Sequence, residues 1–327
     1  METLLKVDNL NTIFKTDRGV VHAVNNVSYE IKEGEIIGLV GESGCGKSVS
    51  QMSLLQLIPT PPGKIESGTA FFEGRDLLAM EKHSSELNSI RGAKISMIFQ
   101  EPMTSLNPAI TIERQMSEVL IVHSGFNPKD ARDKSIDMLE QVGIPDPAKR
   151  ADDYPHQLSG GMRQRVMVGM AMLCNPKMII ADEATTALDA TIQAQLLELI
   201  YEMVQKYGTS LVLVTHNLGV VARYAHRINV MYAGRIVESG SIHEVWRETL
   251  HPYTKGLLKC VPKIGEKLVP ITGKPPSLIG NSMLCPFRPR CSEKIALCDK
   301  EPIGEPISIS GSHSVACLRV SEGGMVQ

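Results

Sequence analysis

The chain has 327 residues, enough to bury a sizeable core and to suggest about two domains. Its net charge of −2, with 21% charged residues, offers no basic field for nucleic acid. No apolar run reaches the roughly eighteen residues that a membrane-spanning helix needs. The opening residues Met1 to Lys6 lack a basic stretch, an apolar core and a small-residue cleavage site. A cytoplasmic protein is therefore expected, reaching any membrane through a protein partner.

Residues 1–35 alternate short apolar stretches with turn residues, which predicts antiparallel strands. Phe14 lies among them, either packed inward or serving as a platform for a flat ring. The apolar run Ile36 to Val40 then meets Gly41-Glu42-Ser43-Gly44-Cys45-Gly46-Lys47-Ser48, and helical spacing follows from Val49 to Ile58. Strand, glycine loop and helix form the context in which G-x-x-x-x-G-K-[ST] cradles phosphate. Loop N–H groups and the helix N-terminus face the phosphate oxygens, while Lys47 reaches the β- and γ-phosphates and Ser48 holds Mg²⁺.

Pro59 to Gly63 breaks the chain, and Gly68 to Leu78 is predicted as a hairpin. Ile95 to Phe99 is a buried strand ending at Gln100, and apolar spacing from Ile112 to Val142 is helical. A helical insertion over about 101–166 follows. Leu158-Ser159-Gly160-Gly161 opens a further helix. Met178 to Ala181 leads into Asp182-Glu183, and Ser210 to Thr215 leads into His216. With two more strands near 228–232 and 236–238, the alternation predicts an α/β fold around a mostly parallel sheet. Ligands of such sheets bind beyond the strand carboxyl ends, where Gln100, Asp182, Glu183 and His216 all fall.

Hydrolysis of a phosphoanhydride needs charge compensation, a metal and a group that orients water. Asp182 suits the Mg²⁺ shell, Glu183 the general base, His216 a γ-phosphate sensor, and Gln100 a contact to metal or water.

Leu158 to Arg165 resembles the LSGGQ signature of ATP-binding cassette (ABC) ATPases, with Met162 in place of the usual Gln. Phosphate loop, Gln100, signature, Asp182-Glu183, Ala187-Leu188-Asp189 and His216 occur in that family's order. The resemblance implies a P-loop NTPase core with an antiparallel β-subdomain over residues 1–245, and a head-to-tail ATP sandwich dimer. In it, Ser159, Gly160 and Gly161 of one subunit close on ATP held by the other's Gly41–Ser48 loop. Asp189 would lie at the interface and Phe14 under the adenine. Ala184, where the family commonly has proline, leaves both carboxylates in place.

Phe99 to Pro108, His251-Pro252-Tyr253-Thr254, Pro275-Pro276-Ser277-Leu278 and Cys285-Pro286-Phe287-Arg288-Pro289-Arg290-Cys291 resemble the dipeptide and oligopeptide importer branch. That resemblance implies an energy-coupling ATPase on the cytoplasmic face of the membrane. Its partners would be a second ATPase subunit, identical or paralogous, transmembrane permeases and indirectly a solute-binding protein. Nickel import, a soluble cassette ATPase and a nucleotide-binding regulator are the competing readings. The soluble ATPases commonly carry two cassettes or a long coiled coil, which this chain lacks.

Residues 246–327 are rich in proline and glycine and carry eleven Lys and Arg against seven Asp and Glu. They read as a small irregular extension. Cys285, Cys291, Cys298 and Cys317 are spaced too widely for an ordinary zinc site. A [4Fe-4S] cluster accepts four thiolates from a wider loop, and the family resemblance favours it. Zinc or free thiols are the alternatives. Cys45, Cys174 and Cys260 are scattered and read as small packing residues.

Overall fold

The computed structural model describes residues 2–99, 105–183, 190–261, 270–280, 282–321 and 324–325. In chain order the elements are β1 (Thr3–Thr16), β2 (Gly19–Lys32), β3 (Ile36–Val40), α1 (Lys47–Leu54), β4 (Gly63–Phe72) and β5 (Arg75–Asp76). Then come α2 (Ser85–Ile90), β6 (Ile95–Ile98), α3 (Ile112–Ser124), α4 (Pro128–Gln141), α5 (Pro147–Ala151), α6 (Gly160–Met172), β7 (Met178–Asp182) and α7 (Ala190–Tyr207). The series continues with β8 (Ser210–Thr215), α8 (Leu218–Tyr224), β9 (Arg227–Tyr232), β10 (Arg235–Ser241), α9 (Ile242–Arg247), α10 (Pro252–Lys259), β11 (Ile307–Ser310) and β12 (His313–Val315).

The chain forms two compact units, one of residues 1–32, 36–79 and 213–327, the other of residues 33–35 and 80–212. The first contains an antiparallel sheet in the order β2-β1-β4-β5. It also contains strands of the main sheet in the order β11-β12-β10-β9-β3, with the end of β8 beside β3. β3 and β9 are parallel, pairing Leu39 with Asn229, whereas β10, β12 and β11 run antiparallel to their neighbours. All five residues of β3 are buried, as a central strand covered on both faces requires. α8 closes over β3 at Gly38, where a Cβ would stand 2.2 Å from Val221 Cγ1. α1 is tied to the antiparallel sheet by Thr12 Oγ1 and Ser53 Oγ at 2.9 Å and by Gln51 Nε2 donating to Tyr29 Oη at 3.0 Å. This helix is shorter than its apolar spacing predicts, because Gln56 takes a left-handed φ of 50° just beyond it.

The described residues of the extension hold more regular structure than its composition suggests. β11 and β12 form a hairpin that covers the edge of β10 through Glu238 and Val315. An edge strand left bare invites pairing with other chains. Further back, Ile279 bridges to Val21 of β2.

In the second unit, β6 and β7 are parallel, pairing Met97 with Ile180, and helices α3 to α6 lie between them in the chain. α3 ends at Gly125 with φ 68°, and Asn127 caps α4 by accepting the Asp130 N–H, with Pro128 in the first turn. α4 meets α6 at Gly169, where a Cβ would stand 3.2 Å from Met138 Cγ.

Candidate functional site

The phosphate loop leaves the carboxyl end of β3 and enters α1 at Lys47. Two of its glycines are required by close backbone. A Cβ on Gly41 would lie 2.1 Å from the Met231 carbonyl oxygen, and one on Gly46, at φ 105°, 2.1 Å from that of Ala23. Cys45 donates its N–H to Glu42 O at 3.2 Å, and its buried thiol is pushed up by burial, so it fills space as a neutral group. Lys47 is 4% exposed and bends its ammonium back over the loop, donating to Gly41 O at 2.9 Å and Glu42 O at 3.2 Å. No acidic residue sits in the first turn of α1, so the helix N-terminus behind Ser48 keeps its positive end.

His216 follows the end of β8, the neighbour of β3 in the main sheet. His216 is exposed, and the next residue, Asn217, caps α8 by accepting the Gly219 N–H at 2.9 Å. Phe14 is half-buried, its Cε1 2.9 Å from where a Cβ on Gly63 would stand.

In the second unit, Asp182 is the last residue of β7 and 6% exposed. Glu183 adopts a left-handed φ of 44°, a strained conformation for a residue with a Cβ and of the kind held at functional turns. Ser159 caps α6 by accepting the Met162 N–H at 3.3 Å. Ser159 and Gly160 are exposed and Gly161 half-exposed, and nothing lies within 4 Å of a Cβ placed on Gly160. This helix tip is open and carries no acidic side chain in its first turn, which suits it to an anion. Gln100 and Asp189 lie outside the described residues.

Cys285, Cys291, Cys298 and Cys317 lie near enough to interact electrostatically: Cys285 with Cys298 and Cys317, and Cys291 with Cys298 and Cys317. Burial pushes the Cys285 thiol up to about 11, and Cys291 and Cys317 in the same direction. Nearby backbone N–H groups oppose it, those of Phe287 and Arg288 at Cys285, of Glu293 at Cys291 and of Arg319 at Cys317. Among the described residues, no three His, Cys, Asp or Glu side chains form a group that could hold a metal ion.

The family model for the ABC transporter matches residues 24–186, and that for the oligopeptide/dipeptide transporter C-terminal region matches residues 237–298. The dipeptide transport ATP-binding protein DppD of Bacillus subtilis is 48% identical over 320 residues, covering 97% of this chain and 95% of that one. The chain belongs to the ABC transporter ATP-binding proteins. The oligopeptide transport ATP-binding protein OppD of Salmonella typhimurium is also similar to this ABC ATPase, 45% identical over 93% of this chain and 91% of its own. A dimeric structure of the cassette MJ0796 bound to ADP and Pi matches with a TM-score of 0.64 and 27% identity, over 73% of this chain and 98% of that one.

Sequence reasoning missed the residues with which this ABC ATPase holds its phosphate loop from outside. Tyr253 Oη accepts the Glu42 N–H at 2.9 Å, and Arg290 grips the Glu42 carboxylate with both terminal nitrogens, at 2.8 and 3.0 Å. The segments carrying Tyr253 and Arg290 stood out in the sequence only for their family likeness. Nothing in their spacing points to residue 42.

Proposed function

We propose that this ABC ATPase hydrolyses ATP to drive a membrane importer of dipeptides or oligopeptides, over a nucleotide-binding region of residues 1–245 and an extension of residues 246–327. The phosphate loop supports the reading most directly: glycines at close backbone, a buried lysine ammonium over the loop and an uncapped positive helix end. The names of the relatives, dipeptide and oligopeptide transport proteins at 45–48% identity over nearly the whole chain, supply the solute class.

In this reading Gly41 to Ser48 wrap the phosphates, and Lys47 neutralises charge on the β- and γ-oxygens. Ser48 and Asp182 would hold Mg²⁺, with Gln100 reaching metal or water. Glu183 takes the proton of the attacking water and His216 senses the γ-phosphate. The dimeric cassette that is similar to this chain supports pairing of two ATPase subunits. Ser159, Gly160 and Gly161 of one would then close on the triphosphate of the other, with Asp189 between the sites and Phe14 beneath adenine. Among the described residues no helix is long and apolar enough to cross a membrane, so permease subunits would supply the pore and a solute-binding protein the cargo.

The four-cysteine segment is read as a structural [4Fe-4S] site. The likeness to the peptide-importer branch carries this reading; among the described residues the four thiols do not converge into a group that could hold a metal ion. Anaerobic purification followed by iron, sulfide and zinc analysis should find four iron atoms per chain. One zinc and no iron would reject the cluster.

The transport reading is tested by isolating the tagged chain from membranes and measuring ATP-dependent uptake by vesicles containing the copurified permeases. Labelled dipeptides or oligopeptides should accumulate only with hydrolysable ATP. Uptake of nickel and not of peptide would move the chain to the other solute.

A further inference from the structure

The link between the C-terminal extension and the phosphate loop has more structure than an incidental ion pair. Arg290 is 5% exposed in its side chain, and all five of its N–H donors have acceptors. Nη1 donates to Glu42 Oε2 at 2.8 Å and Tyr232 Oη at 3.3 Å; Nη2 donates to Glu42 Oε1 at 3.0 Å and Ile271 O at 3.3 Å. Nε donates to Thr272 O at 3.0 Å. The planar fork is thus fixed before it meets the carboxylate, and a bidentate pair of this kind holds direction as well as distance.

Aromatic rings brace it. Tyr232 lies 4.5 Å from Tyr253 and 5.2 Å from Phe287 between ring centroids, and the guanidinium sits 5.8 Å from the Tyr232 ring centre. Tyr253 is fully buried and accepts the Glu42 backbone N–H, so residue 42 is held at both main chain and side chain. The same extension lines a cleft against the loop, with Pro275, Pro276 and Leu278 facing Ser43, Gly44 and Cys45. The main chain of Arg290 belongs to the turn that carries Cys285 and Cys291: Arg288 N–H donates to Cys285 O at 3.2 Å, Arg290 N–H to Phe287 O at 2.9 Å and Cys291 N–H to Arg288 O at 3.4 Å, so the turn sets where the guanidinium stem begins.

We propose that Arg290 is a positioning residue for the phosphate loop, acting through Glu42, and that it makes nucleotide affinity depend on the integrity of the four-cysteine segment. The loop must present its N–H groups to phosphate at fixed angles, and residue 42 is the point at which the extension sets those angles. A disturbed cysteine segment releases Arg290, the loop loosens, and ordering it again opposes nucleotide binding. The inference requires nucleotide at the loop but is independent of whether the cysteines hold a metal and of the transported solute.

The test is Mg-ADP affinity of the full purified chain by calorimetry, with thermal unfolding recorded alongside. Arg290→Gln and Glu42→Gln should each weaken binding about fivefold or more, and the double variant should be no weaker than either. Arg290→Lys, which keeps charge but loses the fork, should fall between. Cys291→Ser should weaken binding in the wild-type background and have no further effect with Arg290→Gln. If a single variant folds poorly, the reversed pair Glu42→Arg with Arg290→Glu should restore part of the affinity. Unchanged affinity in Arg290→Gln, losses that multiply in the double variants, or a Cys291→Ser loss of equal size in both backgrounds would each overturn the proposal.

Discussion

The ammonium of Lys47 lies 2.9 Å from the carbonyl oxygen of Gly41, six residues earlier, so the loop closes around its own cation. The charge is buried, and the loop's carbonyls hold it over the mouth of the loop rather than in solvent. Replacing Lys47 with Met keeps the stem and removes the charge. Phosphate release should fall by about 10²- to 10³-fold, as for loss of a preorganised donor, with little change in thermal unfolding.

Gly46 offers a sharper steric test. An Ala at this position adds a Cβ 2.1 Å from the Ala23 carbonyl, at a backbone φ of 105° that L-residues avoid. Met231 Cε, 3.0 Å away, can move aside, but the Ala23 carbonyl is backbone and cannot. Gly46→Ala should therefore cost more than about 1 kcal/mol in unfolding free energy and abolish ADP binding measured by calorimetry. Gly44→Ala, whose Cβ would meet nothing within 4 Å, should lose less affinity despite its φ of 77°.

Glu183 carries the proposed base. Glu183→Gln preserves shape and should lower turnover about 10²- to 10⁴-fold while ATP still binds. Its φ of 44° adds a second expectation. Glu183→Gly relieves backbone strain, so it should unfold at a higher temperature than Glu183→Ala while both stay inactive. Phosphate-release assays and thermal scans read the two effects separately.

His251 sets a pH dependence of stability. It is 1% exposed, and its Nδ1 accepts the Tyr253 N–H at 3.1 Å at the head of α10. Burial lowers its pKa from 6.5 to about 4, opposed by the carboxylates of Glu238 and Glu293 and reinforced by Lys255. The unfolded chain binds this proton first, so the contribution is complete above pH 6.5 and is lost as pH falls towards 4. On the order of 3 kcal/mol is at stake across that window. His251→Asn keeps a capping acceptor without titrating in this range, so its unfolding temperature should fall less between pH 6.5 and 4.

What the sequence made legible were features whose signal is local. The glycine loop sits between an apolar run and a helix, and Ile36 to Val40, Met178 to Ala181 and Ser210 to Thr215 are the buried strands their composition indicates. The hairpin β11–β12 was hidden because its strands are short and serine-rich, with a burial rhythm of half-buried and exposed residues in β11. Long-range polar contacts were hidden for another reason. Arg290 meets Glu42 across 248 residues, and His313 Nε2 donates to Glu238 Oε1 at 2.9 Å across 75. Pairing at such separations follows from topology, which one-dimensional spacing does not encode.

If ATP on one subunit's glycine loop is completed by the helix tip of another, a structure of the Glu183→Gln chain with Mg-ATP and its ATPase partner, itself or a paralogue, will show it. Ser159 and the N–H groups of Gly160 and Gly161 should lie within hydrogen-bonding distance of a γ-phosphate held across the interface. A triphosphate enclosed by one chain alone, with residue 159 remote from every nucleotide, would contradict it.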